Sequence, residues 1–199
     1  MSRMVALKQL KFDRNPHPEP VEGRGFRLHA PVTALDFTFV TPQLAVGGGF
    51  AEAAAERLAR EHHISAIVDL RDEARDDEVL LLRHGVTLLH LPTLDHQAVS
   101  QSMLDEGVAF VAERMERDER VLVHCQHGIG RSVLLALCVL IARGEAPLDA
   151  LRRIKDARAV ASPSPAQYEA WQEWMQRHGI EPPGFDAFAA IAYRHLRPG

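Results

Sequence analysis

Residues 121 to 142 place the tightest limit on how this chain can fold. The run Val121 to Val123 reads as a buried strand, and Ser132 to Ala142 has the continuous apolar character of a buried helix. Only a short loop joins them, carrying Cys125, Gln126, His127, Gly128, Ile129, Gly130 and Arg131. A strand that turns this sharply into a helix presents the first N–H groups of the helix at the loop. Those donors have no intrahelical partner, and the helix dipole adds partial positive charge at the same place. The junction is therefore an anion site. The same field favours thiolate over thiol, so Cys125 is expected to be ionised and nucleophilic near neutral pH. Gly128 and Gly130 let the backbone curl and approach a ligand without a Cβ in the way. Cys138, inside Leu134 to Leu140, reads as a small buried hydrophobe.

The rest of the chain supplies the sheet into which that unit fits. Ala34 to Val40 and Gln43 to Val46 read as short strands joined at Thr41-Pro42 in an edge hairpin, and Gly47-Gly48-Gly49 as a turn opening a helix over Glu52 to His62. Ile64 to Leu70 and Val86 to Leu91 are further buried strands, separated by a helix ending near Arg83. Gln101 to Arg117 carries Leu104, Val108, Val111 and Met115 at helical spacing. Three more helical segments follow, Pro147 to Asp156, Pro165 to Arg177 and Phe185 to His195. Helices alternating with short apolar strands predict a single α/β domain, a mostly parallel sheet flanked by helices. Its active site should lie at the carboxyl ends of the strands. Residues 1–33, broken by prolines and glycines, are expected to be extended or disordered. The catalytic domain is expected over 34–180, with 181–199 a helical tail packed on it.

Composition excludes several function classes. A formal charge of −4 gives no basic field for nucleic acid or anionic lipid. Two cysteines in 199 residues rule out a disulfide scaffold and fit a reducing compartment. No apolar run reaches transmembrane length, and the first residues lack a secretory pattern. A cytoplasmic, monomeric enzyme without cofactor is the expectation. The eleven histidines show no metal-ligand spacing, His62-His63 included.

The segment His124-Cys125-Gln126-His127-Gly128-Ile129-Gly130-Arg131-Ser132 resembles the signature loop of the cysteine-dependent protein tyrosine and dual-specificity phosphatases. The resemblance extends upstream to Leu91-Pro92-Thr93-Leu94-Asp95, where members carry an Asp general acid, and downstream to Ser162-Pro163-Ser164-Pro165-Ala166-Gln167, where many place a water-positioning Gln. It covers about Asp36 to about His178. It implies a dual-specificity-type fold and hydrolysis of phosphate monoesters through a phosphocysteine on Cys125. Arg131 and the loop Gln126, His127, Gly128, Ile129 and Gly130 would bind phosphate, Asp95 would be the general acid, and Ser132 would assist the departing sulfur. His124 would bond loop backbone, and Gln167 would support the second step. His127 could face substrate or solvent.

The expected substrate is a protein carrying phosphotyrosine or phosphoserine and phosphothreonine. The same chemistry on a phospholipid, phosphoinositide, nucleotide or RNA 5′-phosphate is the alternative, weakened for highly phosphorylated inositols because the loop has no Lys. A phosphate-binding module without turnover is a third reading. Among rival acids, Asp69 is expected to cap or pair with Arg71, and Asp72, Asp76 and Asp77 to form a solvated charged face.

Overall fold

The structure, a computed structural model, describes residues 35–194. The expectation for residues 1–33, and the ends of the first strand at Ala34 and the last helix at His195, lie outside the described residues.

Five strands form one sheet in the order β1-β2-β5-β3-β4. They are β1 (Phe37–Phe39), β2 (Leu44–Gly47), β3 (Ile64–Arg71), β4 (Thr87–Thr93) and β5 (Arg120–His124). The first pair is the expected edge hairpin, antiparallel; the other neighbours are parallel. The α/β reading holds. Short connections within residues 37–47 suit an antiparallel hairpin, whereas parallel neighbours need crossovers, here filled by helices.

Side-chain alternation divides the core in two. Val121 and Val123 of β5 face the larger cluster, under α3 (Gln101–Glu116), α4 (Arg131–Ala142), α5 (Pro147–Ala157), α6 (Pro165–Arg177) and α7 (Phe185–Ala192). Leu122 faces the smaller one, under α1 (Ala55–Arg60) and α2 (Glu78–Arg83), with Leu58 and Leu81. On β3 the alternation breaks. Ile64 and Ala66 lie on opposite sides although two residues apart, because the register with β5 shifts between them. Helix α4 is buried over Arg131 to Ile141, which explains why its sequence shows no polar face. Phe188 of α7 is fully buried against Tyr168 and Trp171, so this part of the expected tail belongs to the main core.

The expected helix over 52–62 is shorter. A 3-10 turn over Glu52–Ala54 precedes α1, and no side chain caps either start. Where capping residues are present the starts fall at the caps: Asp77 caps α2, Ser100 caps α3, and Ser164 with Gln167 forms a reciprocal capping box on α6.

Parallel register brings the strand ends into one row. Gly47 of β2 and Asp69 of β3 both pair with His124 of β5, and Arg71 pairs with Thr93 of β4. Everything that follows these residues in the chain emerges at one edge.

Candidate active site

The loop after β5 curls so that its carbonyls point outward, and those of Gln126 to Gly130 each find a donor there. Gly49 N donates to Gln126 O at 3.1 Å, Ser162 N to Ile129 O at 2.8 Å, and Leu134 N to Gly130 O at 2.9 Å. Arg158, at the end of α5, donates Nη2 to His127 O at 2.9 Å and Nε to Gly128 O at 2.7 Å. Cys125 O faces His124 Nδ1 at 3.4 Å. With the carbonyls engaged outside, the N–H groups are left to face inward, which builds the anion nest.

Gly128 has φ +65, and a Cβ there would stand 2.5 Å from the backbone of Gly47. Gly130 is constrained differently. Its φ is −122, open to any residue, but a Cβ would meet Gln167 Oε1 at 2.4 Å. Both glycines thus serve close packing of the loop's outer side as well as its curl. The triple glycine contributes to the same contact, since Gly47 O also accepts from Cys125 N at 3.3 Å. It is part of the loop's scaffold, more than the turn expected of it.

Cys125 is buried at the bottom, with Sγ 3.4 Å from Ser132 Oγ. Burial alone would push its thiol up. The Ser132 hydroxyl and the N–H groups of Ser132, His127 and Gly128 overcome that and hold it below the ordinary thiol value. Cys138 has only its own backbone N–H to set against burial, which pushes it well above that value. Cys138 is fully buried among the apolar residues of α4, the place the sequence reading gives it.

Arg131 is almost wholly buried. Nη1 donates to Thr93 O at 2.7 Å and to Glu73 Oε2 at 2.8 Å, and Nη2 to Glu73 Oε1 at 2.7 Å. Glu73 grips one edge of the guanidinium in a planar fork, while Nε has no protein partner among the described residues. Asp95 Oδ1 lies 3.1 Å from Nη2. Asp95 follows β4, and the structure brings it to the same pocket as Cys125 and Arg131. The pocket encloses about 230 Å³, and His96, His127, Ile129, Ser162, Ser164 and Gln167 also line it. His127 and Gln126 are exposed. Asp95 is a half-exposed carboxylate beside His96, whose backbone is left-handed.

Gln167 is in the pocket wall with both amide ends engaged. Oε1 accepts from Ser164 N at 2.8 Å, and Nε2 donates to Gln97 O at 3.2 Å. The side chain ties α6 to the loop that bears Asp95. His124, expected to bond loop backbone, sets Nδ1 3.4 Å from Cys125 O, and its shorter contact is with Asp76 at 2.8 Å. Asp76 is buried and bonds Arg71 too, which corrects the expectation of a solvated face there; Asp72 and Asp77 are exposed. Asp69 pairs with Arg71 as expected.

Glu73, Arg158, Asp36 and the Asp76 contact were missed from sequence. For Glu73 a signal existed. An acid just beyond a strand of a parallel sheet emerges at the site edge, and β3 adjoins β5. Arg158 and Asp36, which bond at 2.7 to 2.9 Å, offered no local pattern.

A strand-to-helix loop that holds a buried thiol of lowered pKa beside a guanidinium and a carboxylate, on a parallel sheet, has the groups that a cysteine-centred phosphate site needs. The family model for the dual specificity phosphatase catalytic domain matches residues 48–177, and the chain belongs to that family. It is 29% identical over 129 residues to dual specificity protein phosphatase 22 of Xenopus tropicalis, covering 63% of this chain and 58% of that one. With the human protein of the same name the figures are 27% over 143 residues, 71% and 74%. The chain thus spans little more than half of the frog relative's length. Among solved structures, Tk-PTP in its active form superposes with TM-score 0.66 at 28% identity, over 71% of this chain and 97% of that one. Human DUSP28, 24% identical with TM-score 0.65 over 76% of this chain and all of that one, shares the fold.

Proposed function

We propose that this chain hydrolyses phosphate monoesters on proteins, accepting phosphotyrosine as well as phosphoserine and phosphothreonine, through a phosphocysteine on Cys125. The observation that carries the reading is the convergence of Cys125, Arg131 and Asp95 on one pocket. Family membership and the relatives named dual specificity protein phosphatase support the substrate class.

In the first step the Cys125 thiolate attacks phosphorus, the bond from phosphorus to the ester oxygen breaks, and that oxygen takes a proton from Asp95. Arg131 Nε and the inward N–H groups bind the phosphoryl oxygens as charge shifts onto them. Phosphate at Arg131 displaces Asp95 from Nη2 and frees its carboxyl to turn toward the ester oxygen. In the second step water attacks phosphorus, Asp95 takes its proton, and the phosphorus–sulfur bond breaks. Ser132 Oγ then donates to the departing thiolate. Gln126, His127, Gly128, Ile129 and Gly130 supply the cradle, and Gln167 holds the Asp95 loop.

The test is turnover of phosphopeptides, an aryl phosphate and phospholipid vesicles by the full chain and by Cys125→Ser. Peptide and aryl phosphate turnover that vanishes in the variant and ignores chelators is expected. Turnover that survives Cys125→Ser refutes the mechanism, and a preference of several orders for lipid refutes the substrate class.

A further inference from the structure

Behind the nucleophile loop four ionisable side chains are packed together. Alternation along β5 puts Leu122 and His124 toward the smaller core, and Val123 and Cys125 toward the larger. His124 and Asp69 are fully buried, and Arg71 and Asp76 nearly so. Arg71 forks the Asp69 carboxylate at 2.9 and 3.0 Å and also bonds Asp76 Oδ1. The second Asp76 oxygen is 2.8 Å from His124 Nε2, and Asp69 Oδ1 is 3.8 Å from it. The Phe50 ring covers the imidazole at 5.3 Å. Outside Asp76, the charged groups Glu52, Arg75 and Asp77 line an open pocket.

Asp69, Asp76 and His124 place one donor atom each close enough to share a metal ion. Arg71 already bonds both carboxylates, so a divalent cation would face a guanidinium there. A proton fits the same position at lower cost.

Both ring nitrogens of His124 face acceptors: the Asp76 carboxylate at Nε2 and the Cys125 carbonyl at Nδ1. A neutral imidazole has one N–H and one lone pair, so either tautomer sets a lone pair against an acceptor. The imidazolium donates at both. Charge points the same way, because two carboxylates against one guanidinium leave a net negative charge in a buried site, and a fourth, positive member removes it. The other outward carbonyls of the loop each have an N–H donor, and Cys125 O gains its own only if Nδ1 carries hydrogen.

We propose that Asp76 holds His124 as an imidazolium, making Asp76 a positioning residue that fixes a buried cation beside Cys125 and keeps the Cys125 carbonyl turned away from the nest. Its meaning for catalysis rests on the nucleophile reading above; the charge state does not.

The test uses the full chain with 15N-labelled histidine, the His124 ring being assigned by through-bond correlation to the Cys125 amide. At pH 7 both ring nitrogens should show the protonated signature; a lone-pair nitrogen overturns the proposal. The second arm follows iodoacetamide alkylation of Cys125 against pH in Asp76→Asn and Asp76→Glu. In Asp76→Asn the midpoint should rise by about one pH unit, slowing alkylation about tenfold below it, and Glu should restore it. A midpoint unmoved or lowered in folded Asp76→Asn overturns the proposal, and if that variant does not fold the ring signals of the wild-type chain decide. Neither arm measures turnover, so loss of the phosphatase reading in the Cys125→Ser assay would leave these results intact.

Discussion

Replacing Arg158 tests whether the anion nest is held from outside. Arg158→Met keeps much of the apolar stem and removes the guanidinium that bonds His127 O and Gly128 O. Both carbonyls are then left without a protein donor, and a bond to a charged group is worth about 1.5–3 kcal/mol. The Asp36 pair adds little, since the Asp36 side chain is 64% exposed. A loss of about 3–5 kcal/mol follows if the loop cannot relax, equivalent to roughly 10 °C in a chain of this size. The functional consequence is separate. A peptide freed at 127–128 can rotate its N–H away from the pocket, so vanadate affinity should fall about tenfold or more, equivalent to about 1.4 kcal/mol. Thermal melts with and without vanadate measure both, with Asp36→Asn as the control expected to move neither by much. If Arg158→Met melts like the parent and binds vanadate as well, the outward carbonyls do not need this donor and the reasoning fails.

Three further outcomes are expected. Glu73 is held at about 2, below its ordinary 4.5, chiefly by its bonds to Arg131; that contribution is complete above pH 4.5 and lost as pH falls toward 2. With 39% of the side chain exposed it amounts to about 1–2 kcal/mol after screening, so the stability gap between parent and Glu73→Gln should close over that range, and a gap that widens on acidification refutes the pairing. Asp95→Asn should cut kcat severely on an aryl phosphate and remove the alkaline limb of its pH profile; an unchanged profile would assign the acid elsewhere. Gly130→Ala drives a Cβ into the Gln167 amide and should cost about 1–3 kcal/mol in a denaturant titration. Amide exchange in the loop that follows Asp95 should quicken as well, and slow exchange there would show that Gln167 is not its tie.

How much of this could be read from sequence follows from the direction in which each residue points. Cys125, Arg131, Ser132 and the two loop glycines are local to one strand–loop–helix unit, and their spacing carries the information. The strands were legible for a similar reason, since β3 and β5 are apolar runs bounded by polar turns. The outer support is a different matter. Gly49, Arg158 and Ser162 reach the loop from segments 30 or more residues away, and Glu73 and Arg131 are 58 apart. The register of β2, β3 and β5 brings in Gly49 and Glu73, the packing of α5 on α4 brings in Arg158 and Ser162, and no local period encodes either. Asp76 was misread for a related reason. The run Arg71 to Asp77 is so rich in charge that a solvated face is the natural reading, yet its start continues β3 to the row where His124 ends β5. Arg71 begins the run at the buried end of β3 and needs buried partners, and it takes Asp69 before it and Asp76 five residues on, while Asp72 and Glu73 between them are exposed. Burial is then satisfied only by pairing, so charge density just after a central strand argues for a site network before it argues for solvent.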